Sequence, residues 1–130
     1  MSVHSRQLDD PSGILYVLTG DTSAKDLIGI SDDIRANEDR VFAILDFSNT
    51  TLNNLSLTDI HQIAIKDTSF PETHSFEKLA LVGLSGAGRW LAESYKFFTE
   101  SWIMKRNDYE TRLFDELDEA AAWLNTSISE

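Results

Sequence analysis

The chain has 130 residues, 42% of them hydrophobic and 25% charged, enough for one well-buried core and too short for two. Eleven Lys and Arg against 22 Asp and Glu leave a formal charge of -11, which repels phosphate backbones and anionic lipid and argues against a nucleic-acid partner and, less strongly, against a peripheral membrane role. No apolar run approaches the roughly 20 residues that cross a bilayer, no cysteine is available for a disulfide, a thiolate nucleophile or a Cys-ligated zinc, and residues 1–6 lack the apolar core of a secretory signal, so a cytoplasmic location is expected.

Residues 1–12 read as an N-terminal extension to a core over 13–125. Within that core, Gly13-Ile14-Leu15-Tyr16-Val17-Leu18-Thr19-Gly20 is a continuous apolar run bounded by glycines, the pattern of a strand covered on both faces. Asp21-Thr22-Ser23 offers N-cap oxygens to a helix carrying Leu27, Ile28, Ile30 and Ile34 at helical spacing. Val41 to Phe47 is a second buried-type strand with Asp46 near its end, and 48–54 reads as polar loop. Ser56 or Thr58 caps a helix with Leu57, Ile60, Ile63 and Ala64 on one side, stopped before Pro71.

Lys78 to Leu84 is a third strand, and Ser85-Gly86-Ala87-Gly88 turns straight into a further helix. At about 100° per residue, Trp90, Leu91, Ser94, Tyr95, Phe97, Phe98 and Trp102 share an arc of roughly 160°, opposite Arg89, Glu93, Lys96 and Glu100, which predicts one wide buried face. Trp102 to Met104 or Tyr109 to Phe114 supplies a last strand, and Leu117, Ala120, Ala121 and Leu124 mark a closing helix over 115–125. Strands alternating with helices through short connections make an α/β domain: a single open, largely parallel sheet with helices packed against it. Ligands of such sheets meet the loops after the strands, here 20–23, 46–54 and 85–89.

Each candidate for chemistry has a structural counterpart. Gly83-Leu84-Ser85-Gly86-Ala87 has the strand-to-helix context of a nucleophile elbow, but His4, His61 and His74 all precede Ser85, against the chain order of that hydrolase fold. A tight turn and helix cap explain it better, and the N–H groups there, with Arg89 one turn in, suit a phosphate or carboxylate. Asp46, Ser85 and Lys105 near strand ends loosely suggest a phospho-accepting receiver, yet of the carboxylates that would hold its Mg²⁺ Asp9 and Asp10 precede the first strand and only Asp21 follows it, leaving helix caps and loop amides as the role of Asp46 and Asp21. The histidines lack metal-ligand spacing, so no metal is expected. Ser48, Thr50, Thr51 and Ser56 fit hydroxyl turns and an N-cap, or phosphorylation. The aromatic arc fits core packing before a groove for an acyl chain or partner helix.

Three segments in order resemble the SpoIIAA-like branch of STAS/SEC14-type domains, small bacterial proteins: Ile14-Leu15-Tyr16-Val17 with Gly20-Asp21; Ala43-Ile44-Leu45-Asp46-Phe47-Ser48-Asn49-Thr50 running into a helix; and Leu79-Ala80-Leu81-Val82-Gly83-Leu84-Ser85-Gly86 followed by Leu113-Phe114-Asp115 and Glu119-Ala120-Ala121-Ala122-Trp123-Leu124. The resemblance covers residues 13 to 124. It implies an open sheet with helices on it, no cofactor, and a role in protein–protein signalling or in binding a small apolar ligand. Antagonists of the wider STAS group carry a phosphorylated Ser at the start of the helix after the second of these strands. Here Leu55 stands at that position with Ser56 beside it, so the resemblance does not bring a phosphorylation switch with it.

The expectation is therefore a non-enzymatic regulatory or interaction domain that contacts its partner through Asp46, Ser48, Thr50, Ser56, Ser85, Gly86, Gly88 and Arg89. The runner-up is a carrier of a small apolar or acidic ligand held between helices and lined by Trp90, Tyr95 and Phe98, and a hydrolase using Ser85 comes third. Edge strands and a wide apolar helix are compatible with a homodimer.

Overall fold

The structure, a computed structural model, describes residues 2–8, 12–37, 39–67, 76–100 and 109–126. In chain order these form β1 (Ser2–Leu8), β2 (Gly13–Asp21), α1 (Ala24–Ala36), β3 (Phe42–Thr51), α2 (Leu57–Asp67), β4 (Lys78–Val82), α3 (Gly86–Glu100), β5 (Glu110–Phe114) and α4 (Leu117–Leu124). The strands make one five-stranded sheet in sequential order, β1 antiparallel to β2 and the remaining neighbours parallel. This is the α/β architecture the alternation of strand and helix patterns predicts.

Sequential order has a consequence for where a ligand can go. The three parallel connections all step the same way across the sheet, and right-handed crossovers stepping one way lay their helices on one face. α1, α2 and α3 accordingly pack together on Ile14, Tyr16, Leu18, Ala43, Leu45, Leu79 and Leu81. The opposite face, built from Leu15, Phe42, Ile44, Ala80 and Val82, is covered among the described residues by α4 through Ala120 and Leu124. Strand order never reverses, so there is no crevice between loops diverging to opposite faces. A pocket has to open between the three-helix layer and the sheet.

Local chemistry sets the element ends. The Ser23 hydroxyl accepts the Asp26 N–H while the Asp26 carboxylate accepts the Ser23 N–H at 2.8 Å, a capping box that starts α1. Ser56 and Asp59 repeat the device on α2, at 3.2 and 3.0 Å. At the far end of the chain, Trp123 of α4 stands 5.0 Å from both the Lys78 ammonium and the Arg112 guanidinium, with Phe114 tilted against it at 5.6 Å, which fastens α4 across β4 and β5.

Three expectations are corrected. Residues 2–8 are not outside the fold: they pair with β2 in seven-residue register, burying Leu8 and packing Val3 on the core. Their mostly polar side chains, normal for an edge strand, hide the strand from pattern reading. Residues 48–51, expected as loop, continue β3 alongside β2 after a bulge, where Val17 pairs with Asp46 and Thr19 with Asn49. In α3 the buried strip is Leu91, Ala92, Tyr95 and Thr99, turned about a quarter of a circle from the centre of the predicted apolar arc. Trp90 and Phe97, placed in the core by that arc, are 55% and 70% exposed. The alternative last strand at Trp102–Met104, and His74, Lys105 and the expected stop before Pro71, lie outside the described residues.

Candidate functional site

The carboxyl ends of β3 and β4 are locked together. At the bulge in β3, where Ser48 has no counterpart in the register with β2, the Asp46 carboxylate accepts the Ser48 N–H at 2.9 Å. Ser48 then lies against Gly83, which has φ +82°; a Cβ there would sit 2.4 Å from the Ser48 hydroxyl and 3.0 Å from its Cα. Only glycine meets both the left-handed backbone and this approach. Next along β3, the Thr50 hydroxyl donates to the Gly20 carbonyl at 2.7 Å and lies 2.7 Å from the Thr22 hydroxyl, while Thr51 bonds Asp21 through its side chain and Thr22 N–H through its carbonyl. These hydroxyls hold the sheet end rigid beside the turn that begins α3.

Between this sheet end and the helix layer is a chamber with two zones. The inner zone, about 80 Å³ of space for the centre of a water-sized sphere, is walled by Ile30 and Ile34 of α1, Ile60 and Ile63 of α2, Ala92 and Tyr95 of α3 and Leu45, Leu79 and Leu81 of the sheet. A single water needs about 10–15 Å³ by that measure and two to four polar partners. The inner wall offers very little of either charge or free polarity. Its tyrosines Tyr95 and Tyr109 bond each other at 2.9 Å through their hydroxyls. The outer zone, about 370 Å³, shares Phe47, Leu52, Leu55, Leu84 and Gly88 with the inner one and adds Thr50, Thr51, Asn53, Gly83 and Ser85. An apolar pocket thus adjoins, across Leu52, Leu55 and Leu84, a more polar one at the start of α3, whose first N–H groups have no acceptor within the helix.

This geometry sorts the residues named from the sequence. Thr50, Ser85 and Gly88 line the mouth. Asp46 and Ser48 support it from beneath through the bulge. Ser56 is spent as the α2 cap, and Arg89 pairs at 3.6 Å with both Glu93 and Asp115. Gly86, at φ +56°, shapes the turn into α3 without lining the mouth. Of the aromatic trio, Tyr95 lines the inner chamber, Phe98 stacks on His61 at 4.5 Å, and Trp90 faces solvent, so the expected lining is corrected to Tyr95 with aliphatic neighbours. The sequence reading misses Leu52, Leu55, Asn53 and Tyr109. Leu52 and Leu55 break an otherwise polar stretch, and that interruption was the available signal.

Neither described histidine serves Ser85. His61 is engaged on Phe98, and His4 is on β1, three strands away from β4, a distance of about 14 Å. Among the described residues no group of three or more His, Asp or Glu side chains converges as a cation site, and no helix is long and apolar enough to cross a membrane. The resolved shifts in acidity belong to a tie between β2 and α1. Burial, then the hydrogen bond to Asp33, pushes the Tyr16 phenol well above its ordinary range. The same bond, with Arg40 at 3.1 Å, holds Asp33 below the usual carboxylate value.

No curated protein matches the sequence. A crystal structure of an uncharacterised protein from Shewanella loihica PV-4, described as having a SpoIIAA-like fold, is similar over 95% of this chain and 92% of its own, with a TM-score of 0.57 and 17% identity. At that identity the likeness speaks for the fold. The SpoIIAA-like family model matches residues 11–125, from just before β2 through α4, and so takes in both faces of the sheet and the chamber between them. The chain therefore belongs to the SpoIIAA-like family.

Proposed function

We propose that this domain is a non-catalytic binding module that holds one small amphipathic molecule, its apolar body in the inner chamber and its polar end at the mouth. The observation that carries this reading is the lining the two zones share: apolar walls on one side, Leu52, Leu55 and Leu84 common to both, then Thr50, Thr51, Asn53 and Ser85 around the first turn of α3. An apolar chamber that gives water few partners is better occupied by carbon than by water. Hydroxyls and helix N–H groups at the rim then orient a carboxylate or hydroxyl head. Ser85 acts as helix cap and rim hydroxyl in this scheme, with neither His4 nor His61 beside it, among the described residues, to make it a nucleophile.

Octanoate and octanol are suitable probes, titrated into the full chain and followed by native mass spectrometry and by displacement of an environment-sensitive dye. One-to-one saturable binding is expected, stronger for octanoate if the α3 N–H groups hold charge and equal for both if the head is only hydrogen-bonded. Ala92→Phe, which fills the inner zone, should weaken uptake by about tenfold or more. No saturable binding of either probe, or binding indifferent to Ala92→Phe, defeats the reading.

The regulatory or protein-contact reading draws on a separate surface. It rests on the exposed Trp90 and Phe97 of α3, which lie on the side of the helix away from the chamber.

A further inference from the structure

α3 carries a second face that the chamber does not use. Its buried strip is Leu91, Ala92, Tyr95 and Thr99; on the outward side Trp90, Ser94 and Phe97 stand about one turn apart, with Trp90 and Phe97 55% and 70% exposed. Single exposed apolar residues are unremarkable, but two large rings in line on one helix are not. Phe98 continues the patch toward α2, where its ring packs edge-on to Phe97 at 5.9 Å and stacks on His61 at 4.5 Å. Ser94 leaves a dip between the two rings, and its hydroxyl is turned inward to the Trp90 carbonyl at 3.0 Å.

The charges beside this stripe form an ordered row: Arg89, Glu93, Lys96, Glu100. All four lie on the flank that faces β5 rather than α2. Lys96 reaches the Thr111 carbonyl at 2.6 Å, Glu100 accepts the Thr111 N–H at 2.8 Å, and Arg89 reaches Asp115. All four keep part of their side chains in solvent, between 26% and 58%. If two copies of α3 cross antiparallel between Ser94 and Tyr95, Arg89 comes level with Glu100 of the second copy and Glu93 with its Lys96. Every facing pair then has opposite sign, twice over by symmetry. In a parallel pairing the two charge rows would fall on opposite sides of the contact and could not pair with each other. The same antiparallel crossing sets Trp90 beside the second copy's Phe97, and puts the small Ser94 at the axis, where close approach of two helices needs a small side chain.

We infer that the occupant of this face is a second copy of the chain, docked antiparallel through α3 about a two-fold axis that passes between Ser94 and Tyr95. The proposal does not depend on what the chamber binds. A 15-residue helix is about 22 Å long, and one helix face buries less than the ~1,200 Å² typical of a stable complex, so the dimer is of the weak, reversible class.

The test combines sedimentation equilibrium of the full chain with a thiol probe. From about 5 to 200 μM, the wild-type chain should pass from monomer to dimer, and Phe97→Asp should raise the dissociation constant by about tenfold or more. Phe97 is exposed enough that its replacement leaves the fold intact, which circular dichroism verifies. Glu93→Lys, which sets two lysines opposite each other, should weaken the dimer at low salt and less so at high salt. The chain has no cysteine, so Ser94→Cys introduces a single thiol that should oxidise readily to a covalent dimer, whereas Lys25→Cys on the exposed side of α1 should not. A monomer throughout, a dimer indifferent to Phe97→Asp, Ser94→Cys crosslinking no faster than Lys25→Cys, or Phe97-dependent binding to lipid vesicles by the monomer would each overturn the proposal.

Discussion

The two faces of the sheet are filled in different ways. The α4 face is covered, among the described residues, by one eight-residue helix, yet Phe42, Ile44, Ala80, Val82 and Ala120 are sealed there to 1% exposure or less, and Trp123 has two cations 5.0 Å from its ring. The other face has, among the described residues, three helices and a larger apolar cluster, and still leaves an apolar pocket. Protein interiors ordinarily pack to the density of organic crystals, so an unfilled space among Ile, Leu and Tyr side chains is a departure that needs a reason. The small α4 face carries the packing; the large helical face carries the room for a ligand.

Substitutions on the two faces should separate these roles. The largest effect is expected from Ile44→Ala, on the packed face at 0% exposure: a loss of about 3 kcal/mol by urea denaturation, with octanoate binding per folded molecule unchanged. Next, the same enlargement can be made on both sides. Ala80→Leu, in the packed cluster, should cost about 1–3 kcal/mol through overpacking, whereas Ala92→Leu, at the chamber wall, should cost less than about 1 kcal/mol and weaken ligand uptake. Equal costs at the two alanines would erase the distinction between the faces. A third contrast concerns caps on the helical face: Ser23→Ala, which breaks the α1 capping box, should lower stability by about 1 kcal/mol without touching the chamber.

The smallest expected effect is a pH dependence confined to the three-helix side. Asp33 has its folded value lowered by Tyr16 and Arg40, so its contribution is complete above the unfolded carboxylate value near ~3.9 and is lost as pH falls through the lower, folded value. Its side chain is 49% exposed and therefore screened, which keeps the effect well under ~1 kcal/mol. Asp33→Asn should flatten that acid limb in a urea-denaturation series run below pH 5, and Ile44→Ala should leave its slope unchanged.

Most of the scaffold was legible in the sequence because its signals are local. β2, β3 and β4 are continuous apolar runs, as strands buried on both faces must be, and Ser23 and Ser56 are among the cap oxygens the sequence offers for two helix starts. The site was legible in part. Thr50, Ser85 and Gly88 follow from the rule that ligands meet the carboxyl ends of parallel strands. Leu52 and Leu55 escaped because two leucines in a polar stretch have no period to read, and their role as a collar exists only once α3 is set over β3.

What the sequence determined by itself was the run of elements from β2 to α4, their order and their membership in an α/β family, since propensity, capping and apolar runs act over a few residues at a time. Three things were decided only in three dimensions. β1 is a strand because β2 has an open edge to pair with, and not because of its own polar residues. The strip of α3 that is buried was chosen by its neighbours: α2 and β5 flank the helix, and the arc they enclose is a quarter turn away from the most apolar one, which leaves Trp90 and Phe97 outside. The chamber itself depends on how far three helices stand off one sheet, a sum of side-chain volumes contributed by α1, α2, α3 and the strands, and no single segment of the chain records that distance.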